Sequence, residues 1–261
     1  MRKNSTVDKT NLSDPMAELM LQLAGRSVRV STLHDDTAQY CKNYIIDSDE
    51  DAEISVTMTQ ADIEQEQVKA WRTDEVEGRT PREHSDGCLE ITAVQRKIAD
   101  ALFQYDTIVF HGSVVAVDGQ AFLFTAKSGT GKSTHTRMWR ELFGERAVMV
   151  NDDKPFLQIT DHGVIAYGSP WNGKHHLGSN VAVPLKAICI LERGEVNRIH
   201  QILPQQALPM LIQQSSRPMN GALMGKYMEL IDALSQKVNF YRMKCNISLD
   251  AAALAYETMR K

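Results

Sequence analysis

No apolar run in this chain approaches the ~18 residues that a membrane-spanning helix needs. Its opening, MRKNSTVDKTNLSDP, has no apolar stretch of the kind that marks a secretory signal. Cysteine is scarce: Cys41, Cys88, Cys189 and Cys245 lie far apart with no CxxC pair, so neither a structural zinc site nor a disulfide framework is expected. Positive charge is not in excess. With 29 Lys and Arg against 33 Asp and Glu the net charge is −4, so no global basic field exists to hold nucleic acid or an anionic membrane. Internal repeats and low-complexity segments are also missing. What is present is ordinary for a globular protein, 43% hydrophobic and 24% charged residues over 261 positions. That length holds one large domain or two modest ones. The expectation is a soluble, cytoplasmic chain with reduced thiols.

Residues 1–14 are polar and read as a frayed segment. Residues 16–23 suggest a short helix, 28–33 a strand, 54–58 a second strand and 60–71 a charged surface helix. Residues 72–87 lack any period and read as a loop, with Asp74, Glu75 and Glu77 as solvated surface. A helix over 91–103 follows. From residue 107 the pattern turns β-rich. TIVFHGSVVAV and QAFLFTA flank Asp118-Gly119, a dipeptide suited to a type I′ hairpin turn. Beyond them come KSGTGKST and a helix over 135–142. A strand over 147–151 ends at Asp152-Asp153, and a hairpin over 156–167 leads to a Gly-rich loop over 168–180. A buried strand over 187–191, helices over 204–214 and 222–234, a strand over 238–243 and a helix over 249–259 complete the chain.

Residues 126–133, Ala-Lys-Ser-Gly-Thr-Gly-Lys-Ser, match the phosphate-loop pattern G-x-x-x-x-G-K-[ST] except that Ala126 replaces the first glycine. The pattern sits between a strong strand and a helix, as its chemistry requires. Gly129 and Gly131 let backbone N–H groups approach phosphate oxygens, and the helix beginning near Lys132 adds its positive end. Lys132 is expected to neutralise β- and γ-phosphate charge, and the Ser133 hydroxyl to bind Mg²⁺. Ser128, Thr130 and Thr134 complete the nucleotide-binding set. Asp152 and Asp153, about twenty residues on at a strand end, are candidates for metal ligand and proton acceptor. The competing reading is a strand-end turn.

Together, His111-Gly112 on a strand, the loop Ser128-Gly129-Thr130-Gly131-Lys132-Ser133 and the pair Asp152-Asp153 resemble the catalytic domain of bacterial HPr kinase/phosphorylase, itself related to phosphoenolpyruvate carboxykinase. The resemblance covers roughly residues 105–195. It implies an α/β phosphate-loop kinase domain over 105–261, with a mixed central sheet and flanking helices. The small α+β section over 1–104 is not recognisable as that family's, and its position alone gives the expectation that it selects the partner. The resemblance implies ATP and Mg²⁺, with His111 beside the transferred phosphoryl group, Lys132 on the β/γ-phosphates and Ser133, Asp152 and Asp153 about the metal. Asp153 is the expected base. A homo-oligomer is also implied. Alone, His111 would read as a satisfied core histidine.

Two departures turn the expectation away from HPr itself. Thr134 stands where that family carries an acidic residue. Trp171-Asn172-Gly173-Lys174-His175-His176 stands where it carries a glutamate and a Gly-Leu-Gly run. The expected reaction is transfer of the ATP γ-phosphoryl group to a serine-type hydroxyl on a protein, peptide or small molecule. The alternatives are a small hydroxy-acid or carboxylate kinase and a non-catalytic nucleotide switch. Lys174 reads as a lid residue or flexible surface. His175-His176 makes a poor metal site, because adjacent side chains diverge. Arg217 reads as a surface arginine with an arginine-finger alternative, while Lys127 and Arg137 flank the loop. Trp139 and Trp171 read as packing residues, and Met219, Met224, Met228 and Met243 as core filler.

Overall fold

The computed structural model describes residues 16–261, so the frayed segment expected over 1–14 lies outside the described residues. The first element is a strand, which corrects the helix expected over 16–23. β1 (Ala17–Leu23) pairs antiparallel with β2 (Arg26–Thr32), and β3 (Ile54–Thr57) adds in parallel to β2. Leu19, Leu21 and Leu23 are buried at every second position while Glu18 faces water. These are good helix formers, but their period is two, and Ala24 and Gly25 both take positive φ (49° and 75°), the left-handed pair of a tight hairpin turn.

Helices α1 (Asp36–Cys41), α2 (Gln60–Val76) and α3 (Asp86–Leu102) follow, so α2 and α3 consume part of the loop expected over 72–87. Asp74 is buried rather than solvated. It accepts from Arg79 Nε at 2.9 Å and from the Arg82 N–H at 3.3 Å, tying down the connection between the two helices, whereas Glu75 and Glu77 are exposed as expected. Val94, Ile98 and Leu102 of α3 pack on the three-stranded sheet in a core that also takes in Val109, Phe156 and Trp171 of the following region.

The second sheet has nine strands. β4 (Thr107–Val109), β8 (Phe156–Thr160), β9 (Gly163–Tyr167), β10 (Ala182–Arg193), β6 (Gln120–Thr125), β5 (Ser113–Val117) and β7 (Ala147–Asn151) lie in that order, and β12 (Asn239–Cys245) pairs with β10 and with β11 (Arg198–Ile202). The sheet is mixed: β6 and β12 run parallel to β10, the other pairs antiparallel. Asp118 and Gly119 at the β5–β6 turn have φ of 52° and 77°, as the dipeptide led one to expect. The expected strand over 187–191 is the middle of a longer one, and β11 was not foreseen because RIHQI is short and polar.

Both faces of this sheet are covered, which is why its central strands read as continuous apolar runs. Val114, Ala116, Leu123 and Ile188 point to α5 (Pro204–Gln214) and α6 (Met224–Lys237). Val115, Phe122, Phe124 and Cys189 point to α4 (Lys132–Phe143) and α7 (Leu249–Met259). Trp139 and Trp171 are packing residues as expected. Of the four methionines expected in the core only Met243 is there; Met219, Met224 and Met228 are exposed by 40–48%. Met224 and Met228 lie one turn apart on the solvent side of α6, and Met219 lies in a bend before it.

No helix among the described residues is long and apolar enough to cross a membrane. All four thiols are free. Cys41 and Cys189 are buried, and burial pushes the Cys41 pKa up to about 12. Only exposed Cys88 should react at once with an aromatic disulfide reagent at pH 8, Cys245 following slowly and the buried pair only in denaturant. Immediate reaction of two or more thiols in the native protein would contradict this packing.

Candidate active site

Strand β6 ends at Thr125, buried Ala126 begins the turn, and α4 starts at Lys132. Gly129 (φ 75°) and Gly131 (φ 119°) take conformations that side-chain-bearing residues avoid. A Cβ on Gly129 would meet nothing within 4 Å, and one on Gly131 only Thr134 Cβ at 3.9 Å. Conformation, not crowding, therefore calls for glycine here, and the space beside the loop is open. Thr130 folds the loop on itself, its N–H and hydroxyl both donating to the Lys127 carbonyl at 3.2 and 2.8 Å. Arg193, at the end of β10, donates to the Gly129 carbonyl and faces the Thr130 carbonyl at 3.5 Å. The Lys127, Gly129 and Thr130 carbonyls thus face donors of the loop itself or of Arg193.

A cavity of about 620 Å³ borders this loop, walled by Gly131, Thr134, His135, Met138, Arg193 and Asn246 among others. That is within the range of small-ligand sites. The cavity adjoins the loop. Ser128 and Ser133 are not buried, and Lys132 is half-buried. Arg137 and Lys127 are solvated, and Lys174 and His175 are not buried; His176 sits edge-on to Tyr40 with ring centroids 6.0 Å apart.

Asp152 and Asp153 are adjacent but occupy different environments. Asp152 is only 7% exposed, and the Ser113 hydroxyl donates to its Oδ1 at 2.6 Å. Ser113 Oγ is also 2.8 Å from the Thr136 hydroxyl, which lies over the Lys132 and Ser133 carbonyls in the first turn of α4. Asp152 is thus fastened to the base of the loop helix. Asp153 is about one-third exposed and meets His111, Nε2 to Oδ1, at 3.4 Å.

Backbone bonds bring that pair together. The Asn151 side chain, fully buried, accepts from the N–H groups of Asp153 and Lys154 at 2.8 and 2.7 Å and so makes the turn at the end of β7. Its own amide donates to Ser169 at 3.0 Å. The Gly112 N–H donates to the Asp153 carbonyl at 3.0 Å, and the His111 N–H to the Gln214 carbonyl at 2.6 Å. Gly112 is needed for this approach, because a Cβ there would stand 3.0 Å from the Leu123 side chain and 3.1 Å from the Phe124 carbonyl oxygen.

Burial pushes the His111 pKa down to about 4, helped by the charges of Lys154 and Lys132 and opposed by the Gln214 side chain. The imidazole is accordingly neutral at ordinary pH. Burial raises the pKa of Asp153 from its ordinary value, with the Lys154 and Lys132 charges pulling it back and Asp152 adding to the rise. Lys132 is lowered by burial and held up by the Asp153 and Asp152 charges. Lys132 therefore lies within electrostatic reach of His111, Asp152 and Asp153.

Lys154, Ser113, Asn151 and Arg193 belong to this arrangement and were missed in the sequence. Asn151 alone carried a signal, as a side chain of the kind that caps turns at a strand end. Lys154 is Asp153's own neighbour in sequence but matched no motif, while Ser113 and Arg193 act across strands far apart in the chain.

The family model for SynChlorMet cassette protein ScmC matches residues 80–252, well over half of the sequence and the whole of this arrangement. The chain belongs to the ScmC family. No curated protein matches this family member in sequence. Among solved structures, the HPr(Ser) kinase/phosphatase from Coxiella burnetii aligns at a TM-score of 0.33 and 13% identity, covering 58% of this chain and 93% of that one. So distant a likeness assigns no role to any residue here. The ScmC match spans α3, the loop and both aspartates, so the site lies in the family-matched part of the chain.

Proposed function

We propose that this chain is an ATP-dependent phosphotransferase that moves the γ-phosphoryl group to a serine-type hydroxyl in the cytoplasm. Residues 105–261 carry the transfer and residues 1–104 select the partner. The observation that carries the reading is the meeting of a neutral His111 with a carboxylate of raised basicity, Asp153, within the field of Lys132.

Loop N–H groups between Ser128 and Thr134 and the N-terminal end of α4 bind the phosphates, with Lys132 neutralising them. Among the described residues no three His, Cys, Asp or Glu side chains gather as a metal site. A Mg²⁺ arriving on the triphosphate needs only one or two protein oxygens, and Ser133 with Asp152 or Asp153 fits that demand. Bound there, the ion supplies charge neutralisation to the phosphoryl group.

The acceptor oxygen attacks the γ-phosphorus and gives its proton to Asp153. The bond from that phosphorus to the bridging oxygen breaks, and ADP departs. Of the two aspartates Asp153 suits the base, because Asp152 is buried and already holds the Ser113 hydroxyl. His111, uncharged, keeps Asp153 oriented without neutralising it. Catalysis is positioning and charge stabilisation.

Arg193→Ala frees two loop carbonyls and should weaken ATP binding about fivefold, read by titration calorimetry. Unchanged affinity would assign Arg193 no part in shaping the loop. The deciding experiment is γ-labelled ATP with Mg²⁺ and the protein in a heat-treated lysate of its source, separated into protein, peptide and small-molecule fractions. A labelled product that depends on the protein supports the transferase. ATP binding with no product in any fraction would make the chain a nucleotide-binding switch instead.

A further inference from the structure

A second cavity, about 460 Å³, shares no wall residue with the loop-side cavity and includes Asp153 in its lining. One face of α3 forms a wall, where Thr92, Gln95, Arg96 and Asp100 recur at three- and four-residue spacing. Lys154, Trp171 and Arg217 line it from the other elements. The section that precedes the phosphate loop and the section that contains it therefore enclose this cleft together, with the candidate base at their meeting point.

Its charges are unequally spent. Asp100 accepts from the N–H groups of Met219 and Asn220, at 3.0 to 3.2 Å, and is fully used in holding that turn. Arg96 uses Nε on Glu66 at 2.8 Å, which leaves its two terminal nitrogens without a hydrogen bond among the described residues. Lys154 Nζ and the Arg217 guanidinium have neither hydrogen bond nor ion pair there. Three cations thus line the cleft together with the Asp153 carboxylate, and of the three Lys154 acts on it directly. A neutral acceptor could accept hydrogen bonds from them but would leave their charge uncompensated. An anionic acceptor would be repelled by Asp153 and by ATP unless cations stood where these stand.

We infer that this cleft is the acceptor site, and that the acceptor carries an anionic group beside the hydroxyl that receives the phosphoryl group. The inference rests on the transferase reading. A carboxylate can come from a free hydroxy acid or from an acidic residue next to a serine in a peptide. The cleft has room for either. Tyr40 and Ile91 also line a third cavity of about 500 Å³ that runs on along α1, so a longer acceptor has a path away from Asp153.

The test offers the full-length protein, with Mg²⁺ and γ-labelled ATP, two acceptor sets. One is a serine peptide library with acidic, neutral or basic flanks. The other pairs free hydroxy acids with neutral polyols. Within at least one set the anionic members are expected to be labelled at least about tenfold faster in kcat/KM, and which set responds identifies the source. Arg217→Glu should erase most of that preference through KM, and Arg217→Lys should keep most of it. Arg217 is exposed, so both variants are expected to fold, and thermal melting checks this. Equal labelling of neutral and anionic acceptors, or a preference untouched by Arg217→Glu, overturns the inference. So does labelling in the lysate with neither set accepted. Failure in the lysate as well removes the transferase reading itself.

Discussion

Asp153→Asn should reduce phosphoryl transfer by about 10²- to 10⁴-fold while leaving ATP affinity within about threefold of wild type, the usual signature of a lost general base. The amide keeps the size of the carboxylate and leaves intact the two backbone bonds that place residue 153, from its N–H to Asn151 and to its carbonyl from Gly112. Only the ability to take a proton is removed. Asp152→Asn is a different experiment. That carboxylate is buried, receives the Ser113 hydroxyl and sits against the first turn of α4, so its replacement perturbs the loop and the fold along with any metal contact. Single-turnover transfer and calorimetric binding of ATP separate the two effects. An Asp153→Asn protein that keeps more than about a tenth of the wild-type rate would place the base elsewhere.

Trp139→Ala should cost about 3–5 kcal/mol of folding stability, the range for removing a large buried aromatic. Trp139 is fully buried at the centre of an aromatic cluster, with ring centroids 5.0 Å from Phe122, 5.2 Å from Phe124, 5.6 Å from Phe143 and 5.7 Å from Tyr256. Its Nε1–H donates to His135 Nε2 at 3.2 Å. Truncation leaves a cavity between α4 and the sheet and strands a ring nitrogen that is neutral because burial lowers the His135 pKa to about 4. Because α4 carries Lys132 and Ser133, a loosened helix should also weaken nucleotide binding. Trp139→Phe keeps most of the packing and should cost about 1 kcal/mol, largely the hydrogen bond. Urea unfolding measures both. An alanine variant within about 1 kcal/mol of wild type would mean that the helix is held by other contacts.

The central sheet and its helices were legible because their signals are local. AFLFTA is apolar on both faces, Asp118-Gly119 dictates its own turn, and KSGTGKST could only join a strand to a helix. Residues 16–23 misled because propensity and period disagreed there: Leu, Met, Glu and Gln favour a helix one by one, yet alternate like a strand. Tertiary pairing with β2 decided the matter. Asp74 looked solvated because its partners, Arg79 and Arg82, fold back from beyond the helix end. At the site, Asn151 and Lys154 flank the aspartates, but Ser113, which holds Asp152, and Gln214, which holds His111, come from distant segments, so no spacing in the sequence could have grouped all four. The acceptor cleft was least legible of all, since its walls are a helix face, a loop and a turn that lie far apart in the chain.

Strand β10 reaches backwards to Ala121–Thr125 through its parallel pairing with β6, and β12 must then arrive to cover its other edge. During synthesis the β5–β6 hairpin and α4 emerge long before either strand exists. Until then one edge of β6 is a row of unpaired backbone groups on an apolar ribbon, the state most prone to join a neighbouring chain. Such distant pairings close slowly. The core should therefore close only once β12 has emerged, and fragments that stop short of Cys245 should aggregate rather than fold.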